Sequence, residues 1–252
     1  MMKDDVINTT LGGCGMIVIG HRGAPDEALE NSWDSFRKAI AGGAARIELD
    51  VHLGKEGLLP IIHDENLKRT TGHDIEVSVL SPKDLARIKL SNQEALPLLE
   101  DVLNQLLPQI ELNIELKSGG KELADAVVTI LPPLEARPRK IIISSFDRDL
   151  IYYLSQQHPQ ETLALLWDES DLSSVEAEMK RSQCRIFHPE VRYVNQELMS
   201  ICQANEWLVF PYISMKDETD PETIWTQLED LGVDGLCTNF PREMTQWLQG
   251  RS

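Results

Sequence analysis

Residues Ala45-Arg46-Ile47-Glu48-Leu49-Asp50-Val51 read as a β-strand, and their alternation decides the fold. Ile47, Leu49 and Val51 point to one face; Glu48 and Asp50, followed by His52, point to the other. The apolar face suits packing against helices, which leaves the acidic face turned inward. Gly54-Lys55-Glu56-Gly57 then makes a turn, and Leu58–Ile62 returns as a hairpin arm. That arm carries His63 back towards the end of the strand where Asp50 lies.

Upstream, Met16-Ile17-Val18-Ile19 is a continuous apolar run of the kind found in buried strands. It ends at Gly20, placing His21 and Arg22 just beyond its C-terminal end. A helix follows, with Asn31 as its expected cap and Trp33, Phe36 and Ile40 at helical spacing, stopped by Gly42-Gly43. Residues 1–14 read as a tail or as a strand closing the bottom of the fold.

Downstream, residues 64–108 break the rhythm. They read as an insertion: a loop at Arg69-Thr70-Thr71-Gly72, a short helix capped by Ser81 with Pro82 in its first turn, and a helix within Pro97–Leu107. A strand–helix beat then resumes. The strands are Ile110–Leu116, Lys140–Ser144, Thr162–Trp167, Arg185–His188, Trp207–Ile213 and Asp234–Cys237, each followed by a helical segment. Alternation of this kind implies parallel strands joined by helices. Counting the hairpin arm as an extension, eight such units in 252 residues predict a (β/α)8 TIM barrel, one domain over 1–252 with a small insertion after the second strand. No Gly-x-Gly-x-x-Gly run supports a dinucleotide fold.

The formal net charge of -17 weighs against nucleic acid and anionic lipid surfaces as partners. An anionic substrate then requires a local cation. Cys14, Cys184, Cys202 and Cys237 form no C-x-x-C pair and read as free thiols in a reducing compartment. No signal peptide or stable membrane insertion is expected, and the cytoplasm is the default location.

Barrel sites form at the C-terminal ends of the strands. There the sequence places His21, Glu48 and Asp50, and Glu115 and Lys117 from Asn113-Ile114-Glu115-Leu116-Lys117. Residues two apart on a strand are roughly 6–7 Å apart, so Glu48 and Asp50 can lean towards one ion, with Glu115 as a third donor. Three oxygen donors without cysteine suit Mg²⁺ or Ca²⁺ better than Zn²⁺. Arg22 and Lys117 can receive a phosphate, and His21 and His63 can serve as general base and general acid. His52 shares the inward face, His188 ends a strand near the rim, and Phe146 either lines the pocket or packs in the core. Trp33, Trp207 and Trp225 read as core residues.

Taken in order, His21-Arg22-Gly23, Glu30-Asn31, Glu48-Leu49-Asp50, His63-Asp64 with Leu67 and Arg69-Thr70-Thr71-Gly72, and Glu115-Leu116-Lys117 resemble the glycerophosphodiester phosphodiesterase family. Asp234-Gly235-Leu236-Cys237-Thr238-Asn239-Phe240-Pro241 resembles its last strand and turn. The resemblance implies hydrolysis of small glycerophosphodiesters to glycerol 3-phosphate and an alcohol. It also implies a divalent ion on Glu48, Asp50 and Glu115, His21 and His63 as the acid–base pair, and Arg22 and Lys117 on phosphate. Two positions depart from the family pattern. Phe210-Pro211-Tyr212-Ile213-Ser214 replaces a frequent Trp-Thr-Val-Asn, and Asn239 stands where Asp is usual. Neither is expected to touch the ligands or the histidines. Two other readings are a lysophospholipase D-type activity, which needs an apolar groove, and a silent phosphate-binding barrel, which would have lost a histidine or carboxylate.

Overall fold

The computed structural model describes residues 15–214 and 220–251. The expectation for residues 1–14 falls outside this range. Eight parallel strands form one sheet: β1 (Ile17–His21), β2 (Arg46–Val51), β3 (Glu111–Leu116), β4 (Ile141–Ser145), β5 (Thr162–Trp167), β6 (Ile186–Pro189), β7 (Leu208–Val209) and β8 (Gly235–Thr238). Their order runs from β7 down to β1 and then β8. The seam between β7 and β8 is closed by a bridge at Tyr212–Cys237, with Cys237 N donating to Pro211 O at 2.8 Å and Ile213 N to Cys237 O at 3.1 Å. The result is a (β/α)8 TIM barrel.

The helices are α1 (Trp33–Ala41), α2 (Lys68–Thr71), α3 (Pro82–Leu85), α4 (Leu99–Gln105), α5 (Gly120–Ile130), α6 (Arg148–Gln157), α7 (Val175–Arg181), α8 (Gln196–Ala204), α9 (Pro221–Leu231) and α10 (Pro241–Gln249). Strand period and helix period divide the apolar residues between two layers. Outward-facing Ile47, Leu49, Val51, Ile114 and Ile143 join Phe36, Val127 and Leu154 of the helices in the main core. Ile19, Ile142, Ala164, Ile186, Leu208 and Phe210 fill the barrel interior. The polar groups of the rim sit above this inner plug.

Several local expectations are corrected. The cap of α1 is Ser32, whose side chain accepts from Ser35 N at 3.1 Å; Asn31 instead adopts φ 52° and turns into the site. Residues 68–71, expected as loop, close one helical turn, which Gly72 ends in the left-handed region at φ 80°. The regular part of the expected seventh strand is Leu208–Val209; its pairing continues beyond through Phe210 N to Phe187 O at 2.9 Å and Tyr212 N to Pro189 O at 3.0 Å, while Pro211 has no N–H to contribute. The 58–62 arm does return antiparallel to β2 as expected, through a bridge of Ile61 to Val51, and Pro60 is bridged onward to Leu98.

The segment between β2 and α4 covers one side of the rim and has its own small core of Ile62, Leu67, Val77, Leu80, Ile88, Leu90 and Leu96. Leu80, Ile88 and Leu90 fold inwards and Leu85 packs half-buried against them, while Val79 stays exposed. Cys184, Cys202 and Cys237 are buried free thiols, and Trp207 and Trp225 are core residues. Among the described residues no helix is long and apolar enough to cross a membrane.

Candidate functional site

Strand register assembles the acidic centre. Asp50 on β2 lies level with Glu115 on β3, and Glu48 level with His21 on β1. Period two turns all of these side chains into the barrel. Carboxylate oxygens of Glu48, Asp50 and Glu115 lie within 4.8 Å of one another, and all three residues are buried.

Three carboxylates this close cannot all remain ionised without a cation. Burial, with Asp50 and Glu115 nearby, raises Glu48 well above the usual carboxylate range. Burial likewise pushes Glu115 up to about 7, against the pull of Lys117. For Asp50 burial also acts upwards, but Arg22 and Lys117 overcome it and hold the group below its ordinary value. Glu48 Oε1, Asp50 Oδ1 and Asn31 Oδ1 are buried and have no hydrogen-bond partner. Unsatisfied oxygens, three acidic side chains and no sulfur or nitrogen donor suit a hard divalent cation such as Mg²⁺ or Ca²⁺.

Arg22 and Lys117 flank the cluster. Arg22 adopts φ 56° and Gly23 φ 95°, so the chain hooks sharply after β1; a side chain at position 23 would collide with Ser35. This hook lets Arg22 N donate to Glu48 Oε2 at 3.0 Å while its guanidinium donates to Glu30 Oε1 at 2.9 Å. Arg22 Nε also lies 3.2 Å from Asp50 Oδ2. Lys117 Nζ donates to Glu115 Oε1 at 2.6 Å and lies 3.6 Å from Asp50 Oδ1. Asn31 Nδ2 donates to Asp50 Oδ2 at 2.7 Å.

The two histidines approach from separate elements and have unlike partners. His21 Nδ1 is 2.7 Å from Asn239 Oδ1, just past β8. Burial and the Arg22 charge lower His21 to about 4. His63 comes from the cover and pairs through Nδ1 with Asp64 Oδ1 at 2.8 Å. Burial lowers it too, with Asp50 opposing. Arg69 donates to Asp64 from Nε at 2.6 Å and to both oxygens of Glu30 at 2.8 and 2.9 Å. A continuous line therefore runs Arg22–Glu30–Arg69–Asp64–His63. The motif contained these residues, but their spacing in sequence did not show the connection, which exists only once the cover folds over the rim.

His52 stays out of the carboxylate cluster. Its Nε2 donates to His63 O at 3.0 Å and its Nδ1 pairs with Ser118 Oγ at 2.7 Å, so it braces the His63 backbone. His188 does not reach the rim; it is buried against Phe210, with ring centroids 5.7 Å apart. Phe146 lies beside the site, its ring 5.9 Å from Lys117 Nζ and edge-to-face with Tyr212 at 5.8 Å. The expectation that Asn239 lies away from the histidines is overturned by its bond to His21. The sequence signal was the departure from the usual aspartate, which by itself said nothing about contact.

A profile of the Glycerophosphoryl diester phosphodiesterase family matches residues 21–243. A glycerophosphodiester phosphodiesterase from Bacillus altitudinis is 28% identical over 237 residues, covering 89% of this chain and 94% of the relative. The crystal structure of a glycerophosphodiester phosphodiesterase from Thermotoga maritima is 28% identical, with a TM-score of 0.76 over 92% of this chain and 98% of that one. A phosphodiesterase from Oleispira antarctica, solved with the product sn-glycerol-3-phosphate, shares the fold at a TM-score of 0.82 and 22% identity, over 92% of this chain and 96% of that one.

Proposed function

The chain belongs to the glycerophosphoryl diester phosphodiesterase family, a family of phosphoric diester hydrolases, and on that premise we propose that it hydrolyses small, water-soluble glycerophosphodiesters to glycerol 3-phosphate and an alcohol. In this reading Glu48, Asp50 and Glu115 hold one divalent ion, Mg²⁺ or Ca²⁺. The observation that carries it is the buried carboxylate triad with unsatisfied oxygens, set between two cations and two histidines.

A bound ion would supply charge stabilisation at the phosphate and lower the pKa of the attacking hydroxyl. Arg22 and Lys117 bind and orient the phosphate, their charges held in place by Glu30 and Glu115. His21 and His63 form the acid–base pair. One imidazole takes the proton of the attacking hydroxyl as the new P–O bond forms. The other gives a proton to the departing alkoxide as the old P–O bond breaks. In both rings Nδ1 is engaged with Asn239 or Asp64, so Nε2 is the nitrogen that handles the proton. The burial of Leu80, Ile88 and Leu90 favours water-soluble diesters over long-chain lipids.

A panel of glycerophosphodiesters assayed for glycerol 3-phosphate release tests this reading. Chelation should abolish turnover and Mg²⁺ or Ca²⁺ should restore it, while His21→Ala and His63→Ala should each lose about 10²–10⁴-fold in kcat. Activity near wild type in either variant would sink the assignment.

A further inference from the structure

The bond between His21 and Asn239 joins residues 218 positions apart, at the ends of the first and last strands. β1 and β8 are hydrogen-bonded neighbours in the register Ile17↔Gly235 to Gly20↔Thr238. Phe240 N donates to Thr238 Oγ1 at 3.2 Å, turning the chain as it leaves β8, and Pro241 begins α10. The residue between them is thereby placed over His21. Both residues are 7% exposed, so water does not readily substitute for either partner.

The chemistry of the bond fixes its direction. An amide oxygen only accepts, so at 2.7 Å His21 Nδ1 must carry the proton. A neutral imidazole has one N–H, so its Nε2 presents a lone pair. Among the described residues nothing hydrogen-bonds to that nitrogen. His63 differs: its partner Asp64 is a carboxylate, which is itself braced by Arg69. Asn239 thus gives His21 an acceptor without the charge that Asp64 brings to His63.

We propose that Asn239 is a positioning residue of the hydrolytic site, locking His21 in the Nδ1–H tautomer with Nε2 aimed at the reacting group. This rests on the acid–base role given to His21 above. Losing the acceptor leaves a buried N–H without a partner, and the ring relaxes towards the Nε2–H tautomer or rotates. Either change withdraws the lone pair from the site without altering the phosphate-binding cations. The loss therefore falls on kcat and not on KM.

Three measurements test it together. In ¹⁵N-labelled wild-type protein His21 should show a protonated Nδ1 and an unprotonated Nε2. Asn239→Leu, which is similar in shape but accepts nothing, should shift that signature and lower kcat by about 10²-fold or more, with KM changed less than about threefold. Asn239→Asp, which restores an acceptor, should recover the tautomer and bring kcat within about tenfold of wild type. A wild-type His21 bearing its proton on Nε2 overturns the proposal, and that reading does not depend on any variant folding. Wild-type kcat in Asn239→Leu overturns it as well. Should no diester be turned over while the Nδ1–H tautomer is present, the hydrolase reading fails and the tautomer lock stands.

Discussion

Removing Arg69 should disable His63 without touching it. Arg69 makes bonds of 2.6 and 3.0 Å to Asp64 and of 2.8 and 2.9 Å to Glu30. Its hydrogen bond is the first cause of the depressed Asp64 carboxyl, which lies at about 2. In Arg69→Met the stem still covers the surface, but Asp64 loses the partner that orients it towards His63 Nδ1. Charge-assisted bonds contribute about 1.5–3 kcal/mol when buried, and the Arg69 side chain is 48% exposed. A net destabilisation of about 1–2 kcal/mol follows, or roughly 3–6 °C in Tm for a chain of this size. Misorienting one member of the proposed acid–base pair should lower kcat by about 10–100-fold, equivalent to about 1.4–2.8 kcal/mol. The assay is a double-mutant cycle with Asp64→Asn. Because Arg69 reaches His63 through Asp64, Arg69→Met in the Asp64→Asn background should cost less than about threefold further in kcat, while loosening Glu30 and with it Arg22 should appear in KM. Fully additive losses would refute the relay.

Three further outcomes are expected. His188 is held at about 3 by burial and the Arg46 charge, below its ordinary value of 6.5. Its contribution is full above the unfolded-state value and is lost as pH falls below about 6.5, at up to about 1.4 kcal/mol per pH unit; His188→Phe should flatten that limb of the stability–pH curve measured by urea unfolding. Phe36 on α1 is fully buried, so Phe36→Ala should cost about 3–5 kcal/mol in denaturant melts while leaving the residual folded fraction active. Ser32→Ala should cost about 1 kcal/mol of stability with little change in kcat, whereas Asn31→Ala should lower kcat, separating the cap from the site residue by assaying both properties on each variant.

The parts of this molecule legible in sequence are those governed by local period. Alternation across Arg46–Val51 set Glu48 and Asp50 inward, and apolar strand runs followed by helical spacing gave the barrel. Asn31 shows where local rules stop. Asparagine and serine are equally good caps, and only the tertiary position of Asp50 decides that Ser32 caps while Asn31 reaches the carboxylate. The Glu30–Arg69–Asp64 connection spans an insertion whose path depends on its own small core. The contact between His21 and Asn239 requires the barrel to close, so no window along the chain contains it. The apolar content of Trp207–Ile213 marks the full length over which this segment pairs with its neighbours, but regular strand geometry holds only over Leu208–Val209.

The central claim is that Glu48, Asp50 and Glu115 together hold the ion on which diester hydrolysis depends. Calorimetric titration of chelated protein with Mg²⁺ or Ca²⁺, run beside turnover of one glycerophosphodiester, addresses it most directly. Wild-type protein should bind one ion per chain and regain activity in step with occupancy, while Glu48→Gln, Asp50→Asn and Glu115→Gln should each lose both together. Full turnover in the chelated protein, or undiminished ion binding in the three variants, would contradict it.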